Sequence, residues 1–395
     1  MLRVTSMRLI RRRCFTSVAS QLALDQVGID SPEIRIETRQ VPMHLAEDLL
    51  SAKKDEATGE YLHPRHWKYE MTTLMDVLKW KWNSTAPGAQ VPTNEAELDA
   101  ALPVLTPDFS MEIPWDHARI TWLGHASVLL EVPVDGKGNK MTILTDPVFT
   151  ARCSPVQWAG PKRYRPAPLQ VNTLPNIDVV VISHNHYDHL DNTTIEQLAA
   201  RFPNVQWFIP LDNSKFLTPL GVSNAQIIEQ NWWDSTTISY KNSSSFTFSL
   251  VPVQHYSRRY FHDTNQSLWG GWVVQGLGGS FFFSGDTAYC SSFKAINHRF
   301  GKQSVSAIPI GAYGPREVLH NQHCDVAQAI QIHKDVNSAS SLGIHWGTWV
   351  LTEEFYLEPK QDLERLMNNE TDCLSDSFYC LDHGASKVVK WRLTN

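Results

Sequence analysis

The six residues His184-Asn185-His186-Tyr187-Asp188-His189 constrain this chain more than any other feature. They follow the apolar run Asp178-Val-Val-Val-Ile182, which has the composition of a buried strand. That strand delivers four metal-binding side chains at its carboxyl end. Two histidines at i and i+2 on extended backbone can reach one ion, and the Asp and His that follow turn toward a second. Structural zinc sites usually pair Cys with Cys or His, whereas His with Asp around an open position is the catalytic pattern. The stretch therefore predicts a dinuclear metal site at a strand end.

Such a site needs further ligands, and three later strand ends supply them. The apolar run over 246–253 ends in Gln254-His255. Phe281-Phe282-Phe283-Ser284-Gly285 ends in Asp286, with the Gly permitting a tight turn, and Ser341-Leu342-Gly343-Ile344 ends in His345. Each alone is an ordinary polar residue after a strand; together they complete a shell for two ions. Neutral imidazoles and carboxylates suit Zn2+, although iron or manganese can occupy the same set.

From Arg119 onward, strand patterns separated by turns dominate. A hairpin is predicted from 120–132 and 141–145 around Asp135-Gly136-Lys137-Gly138. Strands are expected at 178–182, 205–209, 246–253, 271–275, 281–284, 307–310 and 387–393, and helices at 194–201, 325–336 and 353–367. Strands that alternate first with hairpins and then with helices suit an αββα sandwich: two packed mixed sheets with helices on the outer faces. One doubly wound sheet is the weaker alternative, because no Gly-rich phosphate loop follows an early strand. Residues 21–117 read as an extension packed on a catalytic domain over 118–395, with short helices at 44–54 and 94–102. Between these helices Val77, Leu78, Trp80 and Trp82 form either a packing edge or a lipid-facing patch.

The first twenty residues carry Arg3, Arg8, Arg11, Arg12 and Arg13, and no acid appears before Asp25. That is the composition of a mitochondrial presequence, and Arg13-Cys14-Phe15 before Thr16-Ser17 resembles a cleavage site. Its removal takes the formal net charge from −6 to −11, which argues against broad nucleic-acid binding. No run reaches the roughly 18 apolar residues of a spanning helix, so membrane contact would be peripheral. The cysteines show no CxxC pairing and read as reduced thiols. The 14 tryptophans fill the core, line an acyl pocket or meet a membrane surface.

The His/Asp cluster, the later histidines and Ser284-Gly285-Asp286 resemble the metallo-β-lactamase superfamily. Ile120-Thr-Trp-Leu-Gly-His-Ala-Ser127, Asp146-Pro-Val-Phe149, Cys153-Ser-Pro155, Gly160-Pro-Lys-Arg-Tyr-Arg-Pro166, Pro309-Ile-Gly-Ala-Tyr313 and Asn321-Gln-His323 bring the resemblance closer. They are similar to the family of N-acylphosphatidylethanolamine-hydrolysing phospholipases D. That resemblance implies two zinc ions, one on His184, His186 and His255 and the other on Asp188, His189 and His345, with Asp286 bridging. It implies hydrolysis of the phospholipid by a metal-bridging hydroxide that attacks phosphorus, giving N-acylethanolamine and phosphatidic acid. It also implies a homodimer and, with the presequence-like start, a membrane-associated mitochondrial location.

Other residues carry open readings. Lys162, Arg163 and Arg165 hold a phosphate or attract an anionic bilayer, or else form a solvated loop. His323 donates to the phosphate or the leaving alkoxide, or makes a helix-entry hydrogen bond. Gln322 orients a neighbour or the substrate. Tyr187 packs beside the cluster or meets the substrate. His125, within the 120–132 strand, is a core histidine or a partner to a ligand, and Trp232-Trp233 line an acyl groove or the core. Competing functions are a lactonase or thioesterase of the same fold, a processing nuclease, disfavoured by the net acidity, and a lipid-binding scaffold, disfavoured by the complete ligand set.

Overall fold

A computed structural model describes residues 33–37 and 51–393, apart from 68, 71, 85–87, 136 and 241–243. The residues expected to form a presequence, and most of those expected to form the 44–54 helix, lie outside the described residues; Lys54 pairs with Tyr61 as an isolated bridge. The strands are β1 (Glu33–Glu37), β2 (His117–Trp122), β3 (Val128–Pro133), β4 (Lys140–Thr145), β5 (Val179–Val181), β6 (Gln206–Pro210), β7 (Ile227–Gln230), β8 (Ser235–Tyr240), β9 (Ser244–Val251), β10 (Gly271–Gly276), β11 (Gly279–Phe283), β12 (Val305–Pro309), β13 (Ser341–Ile344), β14 (Phe378–Tyr379) and β15 (Ser386–Lys390). Among the described residues they form two sheets, in the orders β15-β2-β3-β4-β5-β6-β7 and β1-β8-β9-β10-β11-β12-β13-β14. β4 to β7 and β11 to β14 run parallel, while the remaining pairs are antiparallel.

Side-chain alternation explains the layering. In β3 and β5, Val128, Leu130, Val179 and Val181 enter the core between the sheets, where Trp122, Phe208, Phe248 and Trp272 also pack. Their neighbours Leu129 and Val180 face the other way, onto a layer built with Ile195 and Leu198. Those two residues belong to helix α3 (Asn192–Arg201), which follows α1 (Leu74–Asn83) and α2 (Glu95–Ala101). On the second sheet α7 (Val326–Asp335) lies against β12, with α8 (Glu358–Asn368) beside it. The other α-helices among the described residues are α4 (Ser214–Leu217), α5 (Ser292–Phe300) and α6 (Arg316–Leu319).

The expected sandwich is present, with local differences. The 120–132 strand is two strands, because Gly124 at φ 102° and His125 at φ 52° turn the chain and Ser127 N donates to Gly124 O at 2.9 Å. His125 therefore lies in a turn, not within a strand. The 353–367 helix begins only at Glu358, with Pro359 in its first turn; the Glu354 carboxylate accepts from Ala312 N at 2.7 Å and Gly314 N at 3.1 Å, which holds that stretch in a loop. The strands β1, β7, β8 and β14 and the helices α1, α4, α5 and α6 went unanticipated. In α1, Met75, Leu78 and Trp82 are exposed on one face.

Candidate metal centre

The parallel strands of both sheets end at one place, and the side chains just beyond them converge. After β5, Ile182 N still donates to Phe208 O at 2.9 Å; the chain then turns, with Leu190 N donating to His186 O at 2.8 Å. Asp191 caps α3 by accepting from Thr194 N. The turn thus displays His184, His186, Asp188 and His189 on one side of a helix entry. Beyond β11, Gly285 adopts φ 59°, and a Cβ there would sit 2.4 Å from the Ser183 Cβ. Only glycine lets Asp286 approach so closely.

His184 Nε2 lies 2.8 Å from His186 Nδ1, which lies 3.3 Å from His255 Nε2. Asp286 Oδ2 is 3.9 Å from His184 Nε2 and 3.6 Å from His255 Nε2. A second set faces the first: Asp188 Oδ2 is 3.5 Å from His189 Nε2 and 3.6 Å from His345 Nε2. Asp286 belongs to both, with Oδ2 3.2 Å from His189 Nε2 and Oδ1 3.0 Å from His345 Nε2. The donor atoms of His184, His186, His255 and Asp286 lie within 4.8 Å of one another, as do those of Asp188, His189 and His345 with His125.

The residues fit divalent ions. His189 Nε2, His345 Nε2 and Asp286 Oδ1 are buried and make no hydrogen bond of sound geometry with a described residue. Leaving such groups buried and unmatched is costly, and a shared cation relieves it. Burial holds the imidazoles of His186 and His255 down at about 3 and His184 well below its ordinary value, so these three are neutral, the form that binds metal. Burial would raise the Asp286 and Asp188 carboxyls, but the surrounding imidazoles, His189 foremost, outweigh it and hold both well below the usual range.

Buried partners orient the histidines from behind. Asp146, just past β4, accepts from His189 Nδ1 at 2.7 Å and from Ser183 N at 2.7 Å. Ser183 Oγ donates to Asp146 and meets His184 Nδ1 at 2.9 Å. His255 Nδ1 donates to Gln322 O at 2.9 Å. Arg259 donates to Asn185 O at 3.0 Å and Leu190 O at 2.6 Å, clamping the 184–190 turn. The sequence reading missed these roles for Asp146, Ser183 and Arg259. Asp146 had a usable signal, since it too follows an apolar strand; Arg259 had none.

The other anticipated residues separate. His323 does not cap α7, because Asp325 does. Its ring instead lies 5.1 Å from that of His255 and 5.3 Å from that of His345, with Nδ1 buried and unmatched among the described residues. His125 Nε2 is 2.9 Å from Asp188 Oδ2, the partner-to-a-ligand reading. Arg163 is buried, donates through Nε to Thr150 O and through Nη2 to Val148 O, and stacks over Trp349 at 4.5 Å, with Nη1 buried and unmatched among the described residues. Arg165 pairs through Nη2 with Asp99, its Nε buried and unmatched among the described residues, while Lys162 is exposed. Tyr187 lies under the Arg259 guanidinium at 3.9 Å. The Gln322 side chain donates to Thr72 Oγ1 at 2.9 Å. Trp232 and Trp233 are buried in the core.

Comparisons with known proteins agree with this architecture. Residues 141–346 match the family model described as the beta-lactamase superfamily domain. The N-acyl-phosphatidylethanolamine-hydrolyzing phospholipase D 1 of Caenorhabditis elegans is 39% identical over 302 residues, which cover 74% of this chain and 82% of that protein. The mitochondrial N-acyl-phosphatidylethanolamine-hydrolyzing phospholipase D of Saccharomyces cerevisiae is 33% identical over 270 residues, covering 68% of this chain but 55% of that longer protein. A possible metal-dependent hydrolase from Veillonella parvula shares the fold, with a TM-score of 0.50 at 15% identity over 69% of this chain and 99% of that one. Converging His and Asp donors in this sandwich, with a relative 39% identical over most of its own length, mark a metal-dependent hydrolase: the chain belongs to the family of N-acylphosphatidylethanolamine-hydrolysing phospholipases D, within the metallo-β-lactamase superfamily.

Proposed function

We propose that this chain is a zinc-dependent phosphodiesterase of phospholipase D type that converts N-acylphosphatidylethanolamine to N-acylethanolamine and phosphatidic acid. The observation that carries the reading is the placement of Asp286, whose two carboxylate oxygens face both donor sets. His184, His186 and His255 would hold one ion, Asp188, His189 and His345 the other, with Asp286 shared. Two such ions supply a water of lowered pKa and positive charge against phosphoryl oxygens. The chain's own residues do the remainder. Asp146, Ser183 and the Gln322 carbonyl fix the imidazoles, so the site is formed before substrate arrives. His323, held neutral by burial at a pKa of about 3, presents its ring beside both sets and can donate a hydrogen bond through its one N–H to a phosphoryl oxygen. No serine or cysteine nucleophile is needed.

The substrate is supported by the activities for which the two relatives are named. Peripheral membrane contact is supported by exposed Met75, Leu78 and Trp82 on α1 and by Phe261, which is fully exposed in the loop after His255. No helix among the described residues is long and apolar enough to cross a membrane. The mitochondrial destination rests on the basic first twenty residues and on the yeast relative's name, and a homodimer on the family resemblance. The test is zinc-loaded protein on mixed vesicles of N-acylphosphatidylethanolamine, phosphatidylethanolamine and phosphatidylcholine, with products identified by mass spectrometry. N-acylethanolamine with phosphatidic acid is expected, lost on chelation or in Asp286→Asn. Zinc binding without turnover would overturn the substrate and direct the search to small esters and lactones.

A further inference from the structure

Two hydrogen-bond paths join the segment over 61–72 to His255, and they reach opposite ends of that residue. In the first, His63 Nε2 donates to the His255 carbonyl at 2.6 Å. The His63 ring is held for this by stacking on Tyr69 at 3.6 Å between centroids and by Trp269 at 4.7 Å. In the second, the His255 ring donates through Nδ1 to Gln322 O at 2.9 Å, and Gln322 Nε2 donates to Thr72 Oγ1 at 2.9 Å. The Thr72 hydroxyl in turn donates to Val318 O at 2.7 Å, and Asn321 Nδ2 donates to Glu70 O at 3.2 Å. Because Nδ1 is the donor, Nε2 of His255 keeps its lone pair, aimed at His186 and Asp286. The segment lies wholly outside residues 141–346, the part matched by the superfamily model.

We propose that His63 and Thr72 are positioning residues of the metal centre, so that the half formed by His184, His186 and His255 reaches full metal affinity only with the extension docked. This rests on the reading of His255 as a metal ligand. A ligand must be held to within roughly 0.5 Å of its productive position. Here both the backbone and the ring of His255 take their position from residues that follow it by 67 or precede it by 192 in the chain.

The test uses the full chain, loaded with zinc and equilibrated across a series of chelator-buffered zinc concentrations, with metal per chain counted at each. Cobalt-substituted protein, read by its visible absorption, reports ligand geometry separately. His63→Phe keeps the ring stack and loses the donor; Thr72→Val keeps the shape and loses the hydroxyl. Each acts one step removed from the His255 ring, so each is expected to raise the free zinc needed to hold one of the ions by at least about 3-fold and by less than the roughly 10- to 100-fold cost of removing a ligand's direct partner. Both are also expected to alter the cobalt spectrum, and Thr72→Ser restores the wild-type curve. Tyr61→Phe is the control, since it removes a hydrogen bond from the same segment to Asp212 without touching either path. Unchanged zinc curves in both variants, or an equal shift in Tyr61→Phe, would overturn the proposal. If His63→Phe does not fold, the Thr72→Val and Thr72→Ser pair decides. Wild-type protein that binds no zinc would instead overturn the metal reading beneath it.

Discussion

Asp146→Asn isolates how far one buried carboxylate sets the metal centre. Asp146 is fully buried and faces three donors: His189 Nδ1 at 2.7 Å, Ser183 N at 2.7 Å and Ser183 Oγ. Asn has the same shape and tolerates the backbone at φ 32° as readily as Asp, so the exchange leaves the turn intact. It converts one oxygen into an N–H donor, which must then face another N–H. A lost hydrogen bond to a charged group costs about 1.5–3 kcal/mol. At about 1.4 kcal/mol per factor of ten, that is a roughly 10- to 100-fold loss of zinc affinity. Any share of that 1.5–3 kcal/mol already lost by the metal-free fold appears as lost stability instead of lost affinity. Zinc-buffer titration measures the affinity and urea denaturation of stripped protein the stability. An Asn variant equal to the wild type in both would refute the assignment of Asp146 as the orienting group of His189.

Four further outcomes are expected. Gly285→Ala must place a methyl group 2.4 Å from the Ser183 Cβ at φ 59°, so urea denaturation should show a loss of about 1–3 kcal/mol and zinc titration a weaker site. Phe282→Ala, in the fully buried middle of β11, should cost about 3–5 kcal/mol in the same unfolding experiment without changing zinc stoichiometry. His333 is buried against Ser341 and its pKa is pushed down to about 4, so the unfolded chain takes up its proton at a higher pH than the folded chain does. Its contribution is intact above about 6.5 and is lost as pH falls toward 4, reaching about 3 kcal/mol; His333→Gln should flatten that part of the stability–pH curve, and an unchanged slope would count against it. Chelation should lower the melting temperature and zinc restore it, since ligand at about 100 times its Kd contributes about 2.7 kcal/mol. A melting curve indifferent to zinc would contradict ligation at the site.

The strand-end donors were legible because each closes a short apolar run: three valines before the first cluster, three phenylalanines before Asp286, and Leu342 to Ile344 before His345. A buried parallel strand writes its position locally, and the residues just past its carboxyl end are placed by that same local pattern. The break at Gly124-His125 was hidden by apolar residues on both sides of the turn, and β8 by its run of Ser and Thr, which pairs across to similar residues of β9. Roles fixed by distant contact were not legible. Arg163 and Arg165 read locally as a basic loop, and nothing in that stretch marks the bonds they make to Val148, Thr150 and Asp99. Arg259 and His63 hold parts of the centre from far along the chain, and no local pattern marks such a residue.

The exchange of edge strands between the sheets bears on how the molecule responds to force. β2 to β7 form one sheet and β8 to β14 the other, yet the last strand, β15, joins the first sheet and β1 joins the second. Among the described residues, the first and last strands are therefore each paired with a single neighbour, in the sheet built from the other half of the chain. A pull at either terminus, as in passage through a narrow pore, meets an edge strand first and can peel it without loading the middle of either sheet. The middle is where His184 to His189 from one sheet face His255, Asp286 and His345 from the other, so an ion shared there would rivet the halves after their edges had gone. Single-molecule stretching with and without zinc should then show a first release that ignores the metal and a second that depends on it.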